Sequence, residues 1–257
     1  MRASLQPRGS TIALPSPPPL DLNAYALFLD LDGTLVEIAS RPHAVVYSPE
    51  LHHLLKRLSP AMNDAVVLTT GRTVSEADKI IHGALRYMAG VHGYEIKRGD
   101  TVSRAPIDLA PLQRALIEVR ACVQAEALPV LIEDKQASIA LHYRNAPEAG
   151  PALLEIANAV SAGHGLRILQ GRMVIELVAG MQNKGDAVRS LMIDPPFRGR
   201  IPVALGDDRT DEDSFDAVNV AGGFGILVGD ERPTAARNRL DNPAAVRAWL
   251  EAPLLGR

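Results

Sequence analysis

Two short stretches of the chain contain aspartates whose spacing suits phosphate chemistry. Asp30 and Asp32 are separated by one residue in "FLDLDGTL", and Asp207, Asp208 and Asp211 fall within "GDDRTDED". Carboxylates crowded into one place repel each other unless protons or a cation hold them there. Mg²⁺ typically takes one or two carboxylates and leaves its other positions to water and substrate phosphate. If the fold brings these aspartates together, they predict a magnesium-dependent phosphate site.

Three further residues offer what a bound phosphate needs. Lys184, in "NKGDAV", can place a positive charge beside it, and Thr70 offers a hydroxyl. Gly71, where a helix is predicted to begin, offers a backbone N–H. Each feature alone has a plainer explanation. An Asp-Gly pair after a strand is most often a turn, Thr70 can simply cap a helix, and an acidic stretch can be solvated. Their occurrence together favours a site.

The elements that position these groups are three apolar runs, residues 25–30, 64–72 and 201–211. Their continuous apolar character predicts strands buried on both faces, as in a parallel sheet covered by helices. Helical patterns follow at 48–59 and 73–84. The alternation predicts a doubly wound parallel-sheet (Rossmann-like) α/β core, in which ligands bind beyond the carboxyl ends of the strands. All three polar clusters lie at that edge.

The pattern changes between residues 106 and 180. A helix at 109–128, a hairpin at 129–144, a helix at 146–163 and a second hairpin at 166–179, with Gly171 at its turn, are predicted. This order predicts an α+β cap domain, an antiparallel sheet with two helices, inserted into the core. The predicted division is a flexible Pro-rich segment 1–22, a catalytic core 23–105 with 181–257, and a cap 106–180.

Composition excludes several classes of protein. The 257 residues are 47% hydrophobic and carry a formal charge of −3, which does not suit a nucleic-acid surface. No apolar run reaches the length of a membrane span. The single cysteine, Cys122, excludes an intramolecular disulfide and predicts a reducing compartment. No continuous apolar segment follows the first arginines, so we predict a cytoplasmic protein. The oligomeric state stays open, and a monomer is compatible with the sequence.

Four motifs together carry a resemblance to a known superfamily. "FLDLDGTL", "LTTGR", the lysine of "NKG" and "GDDRTDED" resemble, in order, the motifs of the haloacid-dehalogenase superfamily of phosphotransferases. The set is highly specific and spans residues 25–230. The insertion is similar to that of the subfamily with a cap between the second and third motifs. Within it, "HGYE" (92–95), "IEDKQASIALHYR" (132–144) and "MVIELVAGMQNKG" (173–185) resemble trehalose-6-phosphate phosphatases.

The resemblance implies roles for these residues. Asp30 would be the nucleophile that forms an aspartyl-phosphate, and Asp32 would protonate the departing sugar oxygen and then take a proton from water. Thr70 and Lys184 would hold the transferring phosphoryl group. The implied ligands of Mg²⁺ are the Asp30 carboxylate, the Asp32 backbone carbonyl and Asp207, with help from Asp208 or Asp211. The implied substrate-binding residues are Gly71, Arg72 and Glu95 from the core and Glu133, Lys135 and Glu176 from the cap.

The implied activity is the Mg²⁺-dependent hydrolysis of trehalose 6-phosphate to trehalose and phosphate. Three alternatives stay open. The same chemistry could serve sucrose phosphate, mannosylglycerate phosphate or a monosaccharide phosphate. A phosphomutase shares the motifs but returns the phosphoryl group to a sugar. A receiver-like module would be phosphorylated as a signal without turnover, although a large cap and Asp32 as an acid argue against it.

Overall fold

The computed structural model describes residues 13–38 and 46–255, which form two sheets and their covering helices. The strands are β1 Tyr25–Asp30, β2 Val66–Thr69, β3 Tyr87–Gly90, β4 Glu95–Arg98, β5 Thr101–Arg104, β6 Leu131–Asp134, β7 Ser138–His142, β8 Arg167–Gly171, β9 Val174–Val178, β10 Ile201–Gly206, β11 Phe224–Val228 and β12 Asn238–Leu240. The helices are α1 Pro49–Ala61, α2 Val74–Ile80, α3 Ala110–Ala125, α4 Gly150–His164, α5 Lys184–Met192, α6 Glu212–Val220 and α7 Pro243–Glu251.

The larger sheet has eight strands in the order β12-β11-β10-β1-β2-β3-β4-β5. The strands from β12 to β3 are parallel, and β4 and β5 extend the sheet in antiparallel fashion. The three predicted strands β10, β1 and β2 are direct neighbours, and their continuous apolar character reflects burial on both faces. Their carboxyl ends therefore meet at one edge, as the sequence predicts.

The smaller sheet is antiparallel, in the order β6-β7-β9-β8, and packs against α3 and α4 over its own apolar cluster. Both predicted hairpins form. The turn of the second one, however, lies at Arg172 and Met173, because Gly171 still belongs to β8 and Met173 takes the left-handed conformation, with φ 62°. The fold class, a doubly wound core with an inserted α+β cap, is confirmed. The exact domain boundaries stay predictions.

Two expectations need correction. Residues 13–22 of the predicted flexible segment pack against the core. Leu20 and Leu22 are buried there, and Trp249 Nε1 donates to the Pro18 carbonyl at 2.8 Å. Residues 1–12 of the predicted flexible segment lie outside the described residues. Helix α2 is shorter than the predicted 73–84, because His82 and Gly83 turn to positive φ after it. No helix in the described part of the chain combines the length and apolar character needed to cross a bilayer.

Candidate active site

A cavity lies between the carboxyl ends of β1, β2 and β10 and the cap. Every predicted site residue except Glu95 lines it. The core contributes Asp30, Asp32, Thr70, Gly71, Arg72, Lys184, Asp207, Asp208 and Asp211, and the cap contributes Glu133, Lys135 and Glu176. The topology thus gathers residues that are as many as 181 positions apart in the sequence, from 30 to 211.

Lys184 lies buried between two carboxylates. Its Nζ donates to Asp30 Oδ1 at 2.7 Å and to Asp211 Oδ1 at 2.6 Å. The lysine opens α5, where the side chain of Asn183 caps the helix by accepting from Asp186 N at 2.9 Å. Burial opposes the charge of Lys184, but Asp211 and Asp30 raise its pKa above the usual value. Lys184 is therefore a fixed cation at the floor of the cavity.

Three carboxylates lie around Lys184, and its single positive charge cannot neutralise all of them. Oxygens of Asp30, Asp207 and Asp211 lie within 4.8 Å of one another. Burial, with Asp211 and Asp207, raises the pKa of Asp30 despite the opposing charge of Lys184. Burial, Asp211 and Asp208 likewise raise the pKa of Asp207 to about 7. Oxygen ligands crowded in this way fit a hard divalent cation.

The backbone makes room for this group of carboxylates. Gly33 has φ +90°, and a Cβ there would lie 2.2 Å from Asp207 Oδ2. At Gly206 a Cβ would lie 2.1 Å from Asp211 Cγ. Only glycine permits such close approach. The donor set and the two glycines together fit a bound cation at Asp30 and Asp207.

Asp208 lies outside this group, although Asp208 and Asp211 were the two residues predicted to help bind the metal. Its Oδ1 accepts from Arg209 N at 2.8 Å, and its Oδ2 faces Gly171 of the cap. The following short 3-10 turn instead directs Asp211 inward, where Asp211 Oδ2 accepts from Asp208 N at 3.0 Å. Asp208 therefore lines the cavity at the boundary between core and cap.

The side chain of Asp32 binds Arg72 and does not belong to the group formed by Asp30, Asp207 and Asp211. Arg72 Nε donates to Asp32 Oδ2 at 2.6 Å, and Arg72 Nη2 donates to Asp32 Oδ1 at 2.8 Å. Bidentate pairing of this kind fixes the plane of the carboxylate. Arg72 was predicted to contact substrate; in the structure its guanidinium orients Asp32.

We expect Arg72→Ala to lower kcat for a sugar phosphate by about 100-fold, because a misplaced catalytic group typically costs that much. Steady-state phosphate release measures the effect. Arg86→Ala is the matched control, since Arg86 also pairs with an aspartate, Asp64, but at 3.7 Å and on the surface. Equal effects of the two substitutions would contradict a positioning role for Arg72.

Thr70 and Gly71 lie where a phosphate would meet the core, although no helix begins at Gly71. Thr70 is buried, and its Oγ1 accepts from Arg72 N at 3.1 Å. Helix α2 starts only after Thr73, whose side chain caps it by accepting from Glu76 N. The predicted phosphate-binding residues therefore belong to a separate segment, residues 70–72, which precedes the helix and is called the phosphate loop below.

The cap presents Glu176 and Lys135 to the cavity as a buried pair. Glu176 Oε1 accepts from Lys135 Nζ at 3.2 Å and from Ser138 Oγ at 2.6 Å, and Glu176 Oε2 bonds His92 Nε2 at 2.8 Å. Burial alone would raise the pKa of Glu176, but Lys135, His92 and Ser138 hold it well below the usual range. Glu176 is therefore a charged acceptor fixed in place.

Glu133 stands beside that pair on β6. Its Oε2 bonds His142 Nε2 at 2.7 Å. Burial would raise the pKa of Glu133, but His142 and Lys135 keep it below the ordinary value. His142 thus has a carboxylate partner and does not belong to the group formed by Asp30, Asp207 and Asp211.

Glu95 does not reach the cavity, so the structure does not support its prediction as a substrate-binding residue. It is buried, its Oε2 accepts from Val74 N at 2.8 Å, and its Oε1 accepts from Arg104 Nε at 2.9 Å. Glu95 holds the start of α2 against β5 instead.

Sequence reasoning overlooked two residues of the site. His92 lines the cavity and bonds Glu176, and Ser138 bonds the same carboxylate. The stretch "HGYE" contains His92, but Glu95 was the residue in it that was predicted to bind substrate. For Ser138 the only indication was its place in the alternating strand 138–142, since serine is common on strand surfaces.

Comparison with known proteins agrees with this geometry. Residues 28–244 match the sequence model of the trehalose-phosphatase family. The chain is 38% identical over 235 residues to a probable trehalose-phosphate phosphatase of Sinorhizobium fredii, covering 90% of this chain and 88% of that protein. It is 36% identical over 230 residues to the trehalose-6-phosphate phosphatase of Escherichia coli K12, covering 88% and 85%.

Solved structures share the fold. The C-terminal domain of Candida albicans trehalose-6-phosphate phosphatase superimposes with a TM-score of 0.80 at 22% identity, covering 95% of this chain and 98% of that one. The Aspergillus fumigatus trehalose-6-phosphate phosphatase in one crystal form gives a TM-score of 0.63 at 23% identity, covering 93% and 98%. At these identities the two structures establish the core and cap architecture alone.

Proposed function

The chain belongs to the trehalose-phosphatase family, and from that premise we propose that it hydrolyses trehalose 6-phosphate to trehalose and phosphate in the cytoplasm. It is a phosphoric monoester hydrolase. The observation that carries the proposal is Lys184 buried between Asp30 and Asp211, directly below a cap that presents Lys135 and Glu176.

In the first step, Asp30 attacks phosphorus and the bond from phosphorus to the sugar oxygen breaks, leaving an aspartyl-phosphate. Asp32 gives a proton to the departing sugar oxygen. Both oxygens of Asp32 accept from Arg72 in the structure, which is the arrangement of a base. Protonation of the leaving oxygen therefore requires this pair to loosen. In the second step Asp32 accepts a proton from the water that attacks phosphorus, and Asp30 is released.

Two residues stabilise the phosphoryl group during both steps. The ammonium group of Lys184 lies 2.7 Å from Asp30 Oδ1, so its charge lies beside the carboxylate that attacks phosphorus. Thr70, buried directly after β2, offers its hydroxyl in the same cavity. Charges fixed before the reaction need no reorganisation in the transition state.

Mg²⁺ is the proposed cofactor, and the Asp30 and Asp207 carboxylates and the Asp32 carbonyl would hold it. When bound, it would neutralise charge on the phosphoryl group. Asp211 uses Oδ1 for Lys184 and Oδ2 for Asp208 N. We therefore assign Asp211 to hold Lys184 and the loop. Two carboxylates agree with the usual number for Mg²⁺.

We expect Mg²⁺ to stabilise the protein more at pH 8 than at pH 6. The pKa of Asp207 is about 7 in the folded protein, above its ordinary value of 3.8. A raised acid pKa means that stability falls as pH rises from about 4 to 7, because the unfolded chain loses this proton near pH 4 whereas the folded protein retains it up to about pH 7. A cation replaces that proton and restores stability. Thermal melts with and without Mg²⁺ measure the shift, and chelation by EDTA should also abolish phosphate release. An equal Mg²⁺ shift at both pH values would contradict the assignment.

The cap supplies the groups that recognise a sugar. A disaccharide has hydroxyls and no charge beyond its phosphate, so its recognition needs paired donors and acceptors. Lys135 donates, while Glu133 and Glu176 accept, and all three line the cavity. A phosphate-release panel of trehalose 6-phosphate, sucrose 6-phosphate and glucose 6-phosphate tests the proposal. The highest kcat/KM should belong to trehalose 6-phosphate, and a preference for either other sugar would overturn it.

A further inference from the structure

His92 joins the core to the cap through a buried side-chain bond. It follows β3 in the core, and its Nε2 lies 2.8 Å from Oε2 of Glu176 on the cap strand β9. Both side chains are only 6% exposed. Because a carboxylate only accepts hydrogen bonds, His92 Nε2 carries the proton and donates it. The position of Glu176 therefore depends on a residue of the core.

The backbone at His92 is strained. Val91, His92 and Gly93 have φ of 45°, 53° and 96° in succession. Positive φ is a genuine outlier for a β-branched residue such as Val91. Such strain persists only where the surroundings determine it, and it clusters at functional sites.

The surroundings of this segment are the phosphate loop and the helix of Lys184. Val91 N donates to the Arg72 carbonyl at 2.8 Å, and His92 N donates to the Thr70 carbonyl at 3.2 Å. A Cβ at Gly93 would lie 2.5 Å from the Asn183 carbonyl oxygen, and Asn183 caps α5. The imidazole is thus held at a fixed place relative to the groups that bind phosphate.

The imidazole ring also packs against the phosphate loop. A Cβ at Gly71 would lie 2.8 Å from His92 Cε1, so the ring occupies the space that a larger residue would need. His92 Nδ1 is buried and has no hydrogen-bond partner in the described part of the chain. An unpartnered buried nitrogen is unfavourable. Within residues 13–38 and 46–255 the ring therefore makes one polar contact, the bond to Glu176, despite the strained backbone and the unpartnered Nδ1.

That one bond fixes the oxygen of Glu176 that still has capacity for substrate. A carboxylate has about four acceptor positions. Oε1 accepts from Lys135 and Ser138, whereas Oε2 bonds only His92 among the described residues. Oε2 thus retains a position for a hydroxyl. Lys135 has three N–H donors and uses one on Glu176, so it retains donors beside the same position.

We infer that His92 is a positioning residue that sets the distance between the sugar-binding pair, Glu176 and Lys135, and the phosphate-binding loop. The inference rests on the proposed function. A substrate with a sugar and a phosphate must satisfy both places at once, whereas a small aryl phosphate needs only the phosphate loop. His92 therefore determines which phosphate esters are bound productively.

Two amide substitutions separate the effect of the His92–Glu176 hydrogen bond from that of the left-handed backbone conformation. His92→Asn tolerates the left-handed conformation but is too short to reach Glu176. His92→Gln places an amide N–H where His92 Nε2 stood. We expect His92→Asn to raise KM for trehalose 6-phosphate by about 10- to 100-fold, the effect of losing a hydrogen bond to a charged group. kcat/KM for p-nitrophenyl phosphate should change by less than about threefold, and His92→Gln should recover part of the loss.

His164→Ala is the matched control, because His164 Nε2 also lies 2.8 Å from a cap glutamate, Glu118, but on the outer surface. It should leave both substrates unaffected. An unchanged KM in His92→Asn, or a proportional loss with both substrates, would overturn the inference. If the wild-type enzyme does not hydrolyse trehalose 6-phosphate, the proposed function fails first and the inference fails with it; wild-type activity with an unchanged His92→Asn removes the inference alone.

Discussion

Asp30→Asn is expected to abolish phosphate release, with a loss of at least about 10⁴-fold in kcat, since removal of a nucleophile has effects of that order. The amide has nearly the same shape but cannot form the covalent bond to phosphorus. Phosphate release with trehalose 6-phosphate measures the loss.

The same substitution should not unfold the protein. Burial, Asp211 and Asp207 raise the pKa of Asp30, so its ionised form is unfavourable in the folded state. An amide removes that charge, and Lys184 keeps Asp211 as a partner at 2.6 Å. The melting temperature should therefore stay level or rise. Asp100→Asn, on the exposed turn between β4 and β5, is the control for both measurements. Turnover near the wild-type rate in Asp30→Asn would refute the nucleophile assignment.

Lys184→Met should damage both stability and activity. It leaves Asp30 and Asp211 buried without their shared cation. Breaking a buried ion pair from one side costs about 3–5 kcal/mol, which corresponds to a fall in melting temperature of roughly 6–20 °C at this chain length. kcat should fall by about 100-fold or more, because a fixed charge beside the phosphoryl group is lost.

Lys97→Met is the matched control for Lys184. Lys97 Nζ pairs with Asp78 Oδ1 at 2.8 Å and is also largely buried, but it lies outside the cavity and has one acidic partner. Phosphate release should remain close to the wild-type value, and the melting temperature should fall less than in Lys184→Met, because the side chain of Asp78 is 34% exposed. If Lys97→Met and Lys184→Met lowered kcat equally, the role of Lys184 at the phosphoryl group would be wrong.

The centre of the fold could be predicted from the sequence because the buried parallel strands leave continuous apolar runs. β1, β2 and β10 end in Asp30, Thr69 and Gly206, and the polar groups of the site follow directly. The antiparallel strands β4 and β5 escaped prediction because they are largely polar, and the edge strand β5 is exposed throughout. Leu20 and Leu22 were missed because a proline-rich segment resembles a linker until it has a core to pack on.

Within the site, the residue types predicted the chemistry, but they did not predict the hydrogen-bond partner of each residue. Glu95 resembles a binding residue in sequence, but its partner Arg104 arrives from a strand pairing that no local pattern indicates. His92 and Glu176 are 84 positions apart, and their bond follows from the packing of cap on core. The choice between Asp208 and Asp211 depends on one short 3-10 turn. Such contacts belong to tertiary structure.

The most direct test of the central claim is a product measurement with trehalose 6-phosphate and Mg²⁺. Free trehalose and inorganic phosphate are quantified over many turnovers of purified protein. The proposed function predicts equal amounts of both, continuing well beyond one equivalent per enzyme and stopping when EDTA is added. An isomerised sugar phosphate would indicate a phosphomutase instead. Phosphate limited to one equivalent, or none, would contradict hydrolysis of trehalose 6-phosphate by this site.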